Sequence, residues 1–182
     1  MNFQTLGDKA GFVNDRVRND ESSATMALGT PVCLSLDGTE DGLAVLLPSS
    51  MSSQALADSF FYGVVQDAAG IAAAHLGNVQ KHGISNNAKV LRATRSDDSA
   101  NWVGSTSIAK GVLLSLDTVN NVFSTDVGSV TFASNTTVSM YPGRSPYAFL
   151  AQSIASFAST NSTATSYGTK LTVAAKVFLR SL

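Results

Sequence analysis

The sequence predicts a mostly-β protein: a β-sandwich or jelly-roll-like body with an extended N-terminal arm and one short helix near residues 146–158. Three observations carry that prediction. Only 14% of the 182 residues are charged, while 44% are hydrophobic. Ser and Thr number 25 and 16, more than a fifth of the chain, which suits strands whose outer faces carry hydroxyls rather than charges. Apolar residues also alternate with a period of two in several short runs bounded by turn formers, the pattern of half-buried strands.

The elements follow in chain order. In residues 1–28, Phe3, Leu6, Phe12 and Val13 are scattered among polar residues with no stripe to join, so this segment reads as an arm that stays extended until a partner orders it. Residues 29–182 read as a single β-rich domain. Val32, Leu34 and Leu36 share one strand face, Asp37 to Gly42 is dense in turn formers, and Leu43, Val45 and Leu47 resume the alternation, which predicts a hairpin. Further strands are expected at 60–66, 78–83, 89–94, 110–116, 122–125, 129–133 and 170–179. In the last of these Leu171, Val173, Ala175, Val177 and Leu179 alternate. The helix is read from Ser145-Pro146, a capping residue followed by proline at the first helical position. Tyr147, Leu150, Ile154 and Phe157 then follow at spacings of three and four.

Charge is unevenly placed. Residues 1–126 hold 8 Lys/Arg and all 13 Asp/Glu, whereas residues 127–182 hold Arg144, Lys170, Lys176 and Arg180 and no acid. This acid-free stretch fits either an acidic partner surface or self-association through its neutral faces, because interface cores are depleted in charge. The net charge of −1 argues against a nucleic-acid partner, which requires a basic face. The charge-free window 145–169 is too rich in Ser, Thr and Asn to cross a membrane, so no membrane partner is expected. The N-terminus lacks the basic start and apolar core of a signal peptide. With a single cysteine, Cys33, a soluble protein made in a reducing compartment is expected.

Residue patterns that carry chemistry are sparse. His75 and His82 are the only histidines, and two without Cys or acids at ligand spacing fall short of the three or four ligands zinc takes. No metal and no cofactor are therefore expected. The turn acids Asp37, Glu40 and Asp41 lack the spaced ligands of a calcium loop. Gly-x-Ser-x-Gly and the glycine-rich phosphate-binding motifs are absent, so no catalytic residue is assigned and the chain is not expected to be an enzyme. Trp102, in a loop-like stretch, leaves open a sugar-binding platform, the basis of an alternative reading as a carbohydrate-binding β module.

Several runs together resemble the head decoration, or cement, proteins of tailed bacteriophages. They include Asp20-Glu21-Ser22-Ser23, Leu28-Gly29-Thr30-Pro31-Val32, Asp41-Gly42-Leu43-Ala44-Val45-Leu46-Leu47-Pro48-Ser49 and Phe61-Tyr62-Gly63-Val64-Val65. They continue through Gly77-Asn78-Val79-Gln80, Ala93-Thr94-Arg95-Ser96 and Pro146-Tyr147-Ala148-Phe149-Leu150-Ala151-Gln152 to Ala175-Lys176-Val177-Phe178-Leu179-Arg180. The resemblance implies a structural virion protein on the outer capsid surface, assembled in the host cytoplasm. Such a protein stabilises the mature head by bridging neighbouring major capsid protein subunits, and is itself a homodimer or homotrimer. Phe3, Phe12, Arg16, Arg18, Arg144 and Arg180 are the expected capsid contacts. Another low-copy virion component (tail, baseplate or head fibre) is the second alternative.

Overall fold

The structure, a computed structural model, describes residues 13–36, 43–95, 102–103, 107–125, 129–131, 137–139, 148–155 and 170–180. The first strands are β1 (Val13–Asn19), β2 (Pro31–Leu34) and β3 (Ala44–Leu46); a short helix, α1 (Gln54–Ser59), precedes β4 (Phe61–Val65) and the 20-residue β5 (Leu76–Arg95). Then come β6 (Trp102–Val103), β7 (Ser115–Asp117), β8 (Val122–Ser124), β9 (Ser129–Thr131), β10 (Thr137–Ser139), β11 (Ala148–Leu150) and β12 (Lys170–Leu179).

The mostly-β body is as expected, and its sheet closes into a five-strand barrel with outer strands rather than forming two facing sheets. Around the barrel β1 pairs parallel with β3, β3 antiparallel with β2, β2 with β4, β4 with β5, and β5 back with β1. Each of the five strands contributes a fully buried valine to one cluster: Val17, Val32, Val45, Val65 and Val79. Small β-branched side chains fit the narrow interior of a five-strand closure, and each buried valine is worth roughly 1.5–3 kcal/mol. Met26 and Ile71, bridged backbone to backbone, and Leu47 complete this cluster.

The closing strand comes from the segment expected to be an arm, and that expectation is corrected for residues 13–28; residues 1–12 lie outside the described residues. Val13 to Asn19 does alternate, but Asp15 and Asn19 share the inward register with Val17, which hides the period from a hydrophobicity reading. Asn19 is fully buried because its polar atoms are satisfied. Its Nδ2 donates to the carbonyls of Ala24 and Ile71, each at 2.8 Å, and its Oδ1 accepts from the Glu21 backbone N–H at 2.9 Å. Glu21 in turn accepts from the Leu47 backbone N–H at 2.8 Å, tying the exit of β3 to that of β1.

Beyond the barrel, β5 continues into an outer sheet. Its residues 76–82 face β1, and residues 83–94 face β12; β11 adds to the far side of β12. The change of partner falls at Gly83, whose φ of +88° lies where side-chain-bearing residues rarely go. A second cluster fills the space between the β2 and β4 wall and the outer strands. It includes Phe61, Val64, Val90, Leu116, Phe123, Leu150, Val177 and Leu179, with Phe61 and Phe123 edge to face at 5.6 Å.

The helix expected at 146–158 is not formed across residues 148–155. Ala148–Leu150 is a strand paired with β12, with Ala148 and Leu150 buried and Phe149 between them on the other face; the rest of that expectation lies outside the described residues. Backbone bonds from Leu114 to Ala148 and between Leu150 and the 111–112 segment hold its second edge, so long-range pairing overrides the local spacing. The strand expected at 110–116 is correspondingly shortened to β7, which forms a hairpin with β8 around a turn organised by Asp117. The β2–β3 hairpin is as expected, although Leu36 is exposed, and its turn lies outside the described residues.

Gly29 packs against β5 more closely than any side chain allows. Its φ is +80°, and a Cβ there would stand 1.9 Å from the Asn87 carbonyl oxygen. Gly29→Ala is expected to lower unfolding stability by more than ~2 kcal/mol, the sum of left-handed strain and displaced backbone. Urea denaturation of the two proteins measures it, and an unchanged midpoint would contradict the packing described.

Candidate interaction surface

β12 sorts its residues cleanly between two faces. Ala175, Val177 and Leu179 are buried, while Thr172, Ala174, Lys176 and Phe178 are exposed, as is Arg180 just after the strand. Phe178 pairs directly with Ile84 of β5 on one side and with Phe149 of β11 on the other, and directly paired residues share a face. Phe149 is in turn bridged to Leu113. The result is an apolar row, Leu113–Phe149–Phe178–Ile84, running across four chain segments on the side away from the core. Phe178 and Ile84 remain 38% and 42% exposed.

The row extends toward the barrel. His82 stands edge-on to Phe178 with ring centroids 5.8 Å apart. Val13, 41% exposed, pairs with His82. Lys176 and Arg180 lie two residues either side of Phe178 in the same outward register, so roughly 7 Å separates each cation's Cα from that of the aromatic anchor. Among the described residues neither pairs with a carboxylate.

A polar cluster sits at the barrel end next to this face. The Tyr62 hydroxyl donates to Asp15 Oδ2, and Lys81 Nζ pairs with the same oxygen at 2.7 Å while lying over the Tyr62 ring, 5.8 Å from its centroid. The tyrosine ring packs against the barrel core. Lys81, and then Tyr62, hold the Asp15 carboxyl below the ordinary aspartate value. Burial, and then the Asp15 bond and charge, push the Tyr62 hydroxyl well above the ordinary tyrosine value.

Two further groups are buried or half-buried. Cys33 is fully buried with Sγ 3.4 Å from the Ala57 carbonyl, and burial, followed by the Asp58 charge, pushes its thiol up to about 12. Burial also raises the Asp58 carboxyl, partly offset by the bond it accepts from the Leu116 backbone N–H at 2.8 Å, which joins α1 to β7. No group of three His, Cys, Asp or Glu among the described residues is placed to hold a metal ion. No helix among them is long and apolar enough to cross a membrane.

Of the expected contact residues, the structure brings Arg180 to the apolar row. Arg16 and Arg18 stand together on β1 but opposite Asn78 and Leu76 on the barrel wall, farther along from Val13, and Arg18 lies 4.0 Å from Asp20. Phe3, Phe12 and Arg144 lie outside the described residues. Sequence reasoning missed Phe178, Ile84, Phe149, His82 and Lys176. A signal for the first was present: along and just past β12 a phenylalanine stands in the register otherwise held by Thr172, Ala174, Lys176 and Arg180. The sequence matches no protein-family model and no curated protein. What the geometry defines is a small closed-barrel protein with an outer sheet that turns an apolar, cation-flanked face outward.

The Asp15 cluster makes stability pH-dependent at both ends. A carboxyl with a depressed folded pKa stabilises fully above the unfolded value of ~3.9, and that contribution is lost as pH falls through the folded value. A tyrosine with a raised folded pKa costs stability above ~pH 10, where only the unfolded chain ionises. Asp15→Asn and Tyr62→Phe are each expected to lower stability at pH 7 by about 1 kcal/mol. Asp15→Asn should also flatten the loss below pH 4, read from urea midpoints at pH 7 and 3. Cys33 should stay unreactive to a disulfide-exchange reagent in the folded protein and titrate fully in denaturant; rapid native labelling would contradict its burial.

Proposed function

We propose that the chain is a structural protein of the tailed-phage virion that decorates the mature head and stabilises it by bridging neighbouring major capsid protein subunits. The observation that carries this reading is the outward apolar row centred on Phe178. A soluble surface gains nothing from two phenylalanines and an isoleucine side by side, and contiguous exposed apolar area marks a surface made to be covered by protein. The resemblance of several sequence runs to head decoration proteins supplies the identity of that partner.

The mechanism follows from association physics. A composite site spanning adjacent shell subunits exists only in the assembled head. A homodimer or homotrimer of this chain presents two or three copies of its face to it, and joined weak contacts gain through effective concentration. Binding the assembled state alone then stabilises that state by mass action. Arg180, on the row, belongs to the contact, and Arg16 and Arg18 on the barrel wall extend it to a second subunit. The outer capsid surface is the site of action.

Copy number in purified particles is the direct test. Quantitative mass spectrometry is expected to find this chain in numbers comparable to the major shell protein. A handful of copies would replace the reading with a tail, baseplate or fibre role, and absence from particles would overturn it.

A further inference from the structure

We propose that the face formed by β5, β12 and β11 receives a protein surface that is apolar at its centre and carries carboxylates at its rim, with Phe178 as the anchor. The proposal rests on the reading above only in taking that partner to be a virion protein. The partner's chemistry is argued from this chain's own residues.

The centre is apolar and rigid. Phe178 is flanked by Ile84 and Phe149 through direct strand pairing, and the neighbours of all three on the opposite face are core residues: Val177 and Leu179, Gly83 and Ser85, Ala148 and Leu150. The row is therefore held by the sheet before any partner arrives, which removes much of the ordering cost of association. An aromatic side chain with two rotatable bonds, set among near-neutral neighbours, is the usual form of an interface hot spot.

The rim is cationic. Lys176 and Arg180 bracket Phe178 in its own outward register, and the last 56 residues of the chain contain no acid. Asp15, two residues on from Val13, is already engaged by Lys81 and Tyr62. Among the described residues, the charge beside the row is positive, so the complementary surface presents carboxylates to Lys176 and Arg180.

Charge also decides among occupants. A second copy placed face to face about a two-fold axis through Phe178 sets the Lys176 and Arg180 of one chain against those of the other, and like charges facing one another destabilise a contact. Nucleic acid is bound through many phosphate contacts, and anionic lipid through clusters of about four to eight basic residues. Among the described residues Lys176 and Arg180 beside the row, with Lys89 farther along opposite Ala174, fall short of both.

Zero-length carbodiimide coupling of intact particles tests the proposal, because that reagent joins an amine directly to a carboxylate. Lys176 is expected to couple to an Asp or Glu of another virion protein. Lys176→Glu/Arg180→Glu and Phe178→Ser are each expected to lower incorporation into particles at least tenfold. Lys176 and Arg180 are exposed, so thermal unfolding of the charge-reversed protein should match wild type, and Lys176→Arg/Arg180→Lys should incorporate normally. Phe178→Ser also gives up the His82 ring contact and its strand neighbours, so a small drop in its midpoint is expected alongside the loss of incorporation. Coupling of Lys176 to a second copy of this chain, or to no partner carboxylate, overturns the proposal. So does normal incorporation of the charge-reversed protein. The decoration reading fails separately: coupling to a low-copy tail protein supports the acidic partner and removes the head, whereas shell-like copy number with indifferent variants does the reverse.

Discussion

The whole architecture depends on one strand serving two sheets. β5 runs for 20 residues, pairing with β1 and β4 to close the barrel and then with β12 to carry the outer sheet. Backbone donors and acceptors of a buried strand must find partners along its entire length, so a strand this long recruits a new neighbour where each earlier one ends. Gly83 provides the passage between the two regimes. Without β5 the barrel has a gap and β12 has no inner neighbour, and both hydrophobic clusters lose a wall.

The two clusters solve different packing problems. Inside the barrel, a valine from each of the five strands meets at the centre, and Met26, Leu47 and Ile71 pack with them. In the outer cluster, larger residues such as Phe61, Phe123, Leu116 and Leu150 fill the wider space between the barrel wall and the outer strands. Polar residues secure the barrel at both ends of β1: Asn19 donates to the Ala24 carbonyl in the loop that leaves it and to the Ile71 carbonyl between β4 and β5, and Asp15, Tyr62 and Lys81 close the other end. The acids Asp20 and Glu21 are spent similarly, accepting from Ser35 and from Leu47 and Ser50, so part of the chain's negative charge is structural.

The consequence for function is a division of labour between faces. The inward register of β12 builds the core, and its outward register carries Lys176, Phe178 and Arg180 into a setting where Ile84 and Phe149 lie alongside. Packing behind the sheet fixes the backbone positions from which those side chains project.

The sequence by itself determined the class. Low charge, abundant hydroxyls and period-two runs specified strands, and the β2–β3 pair, β4, the β7–β8 turn and β12 were legible because strand alternation and turn formers are local signals. The alternation of β12 also showed which residues would be buried and left Phe178 visible in the outward register. Tertiary structure decided the rest. Whether residues 13–19 form an arm or a barrel stave depended on pairing with β5, some 60 residues away, and on distant groups that engage Asp15 (Tyr62, Lys81) and Asn19 (Ile71). Whether 148–155 is helix or strand depended on β12 and the 108–114 segment, since a three-residue strand has no stability of its own. Above all, the apolar row exists only as a register between strands distant in sequence. Ile84, Phe149 and Phe178 share no local pattern, because side chains meet across a sheet through backbone pairing, and pairing is a property of the fold.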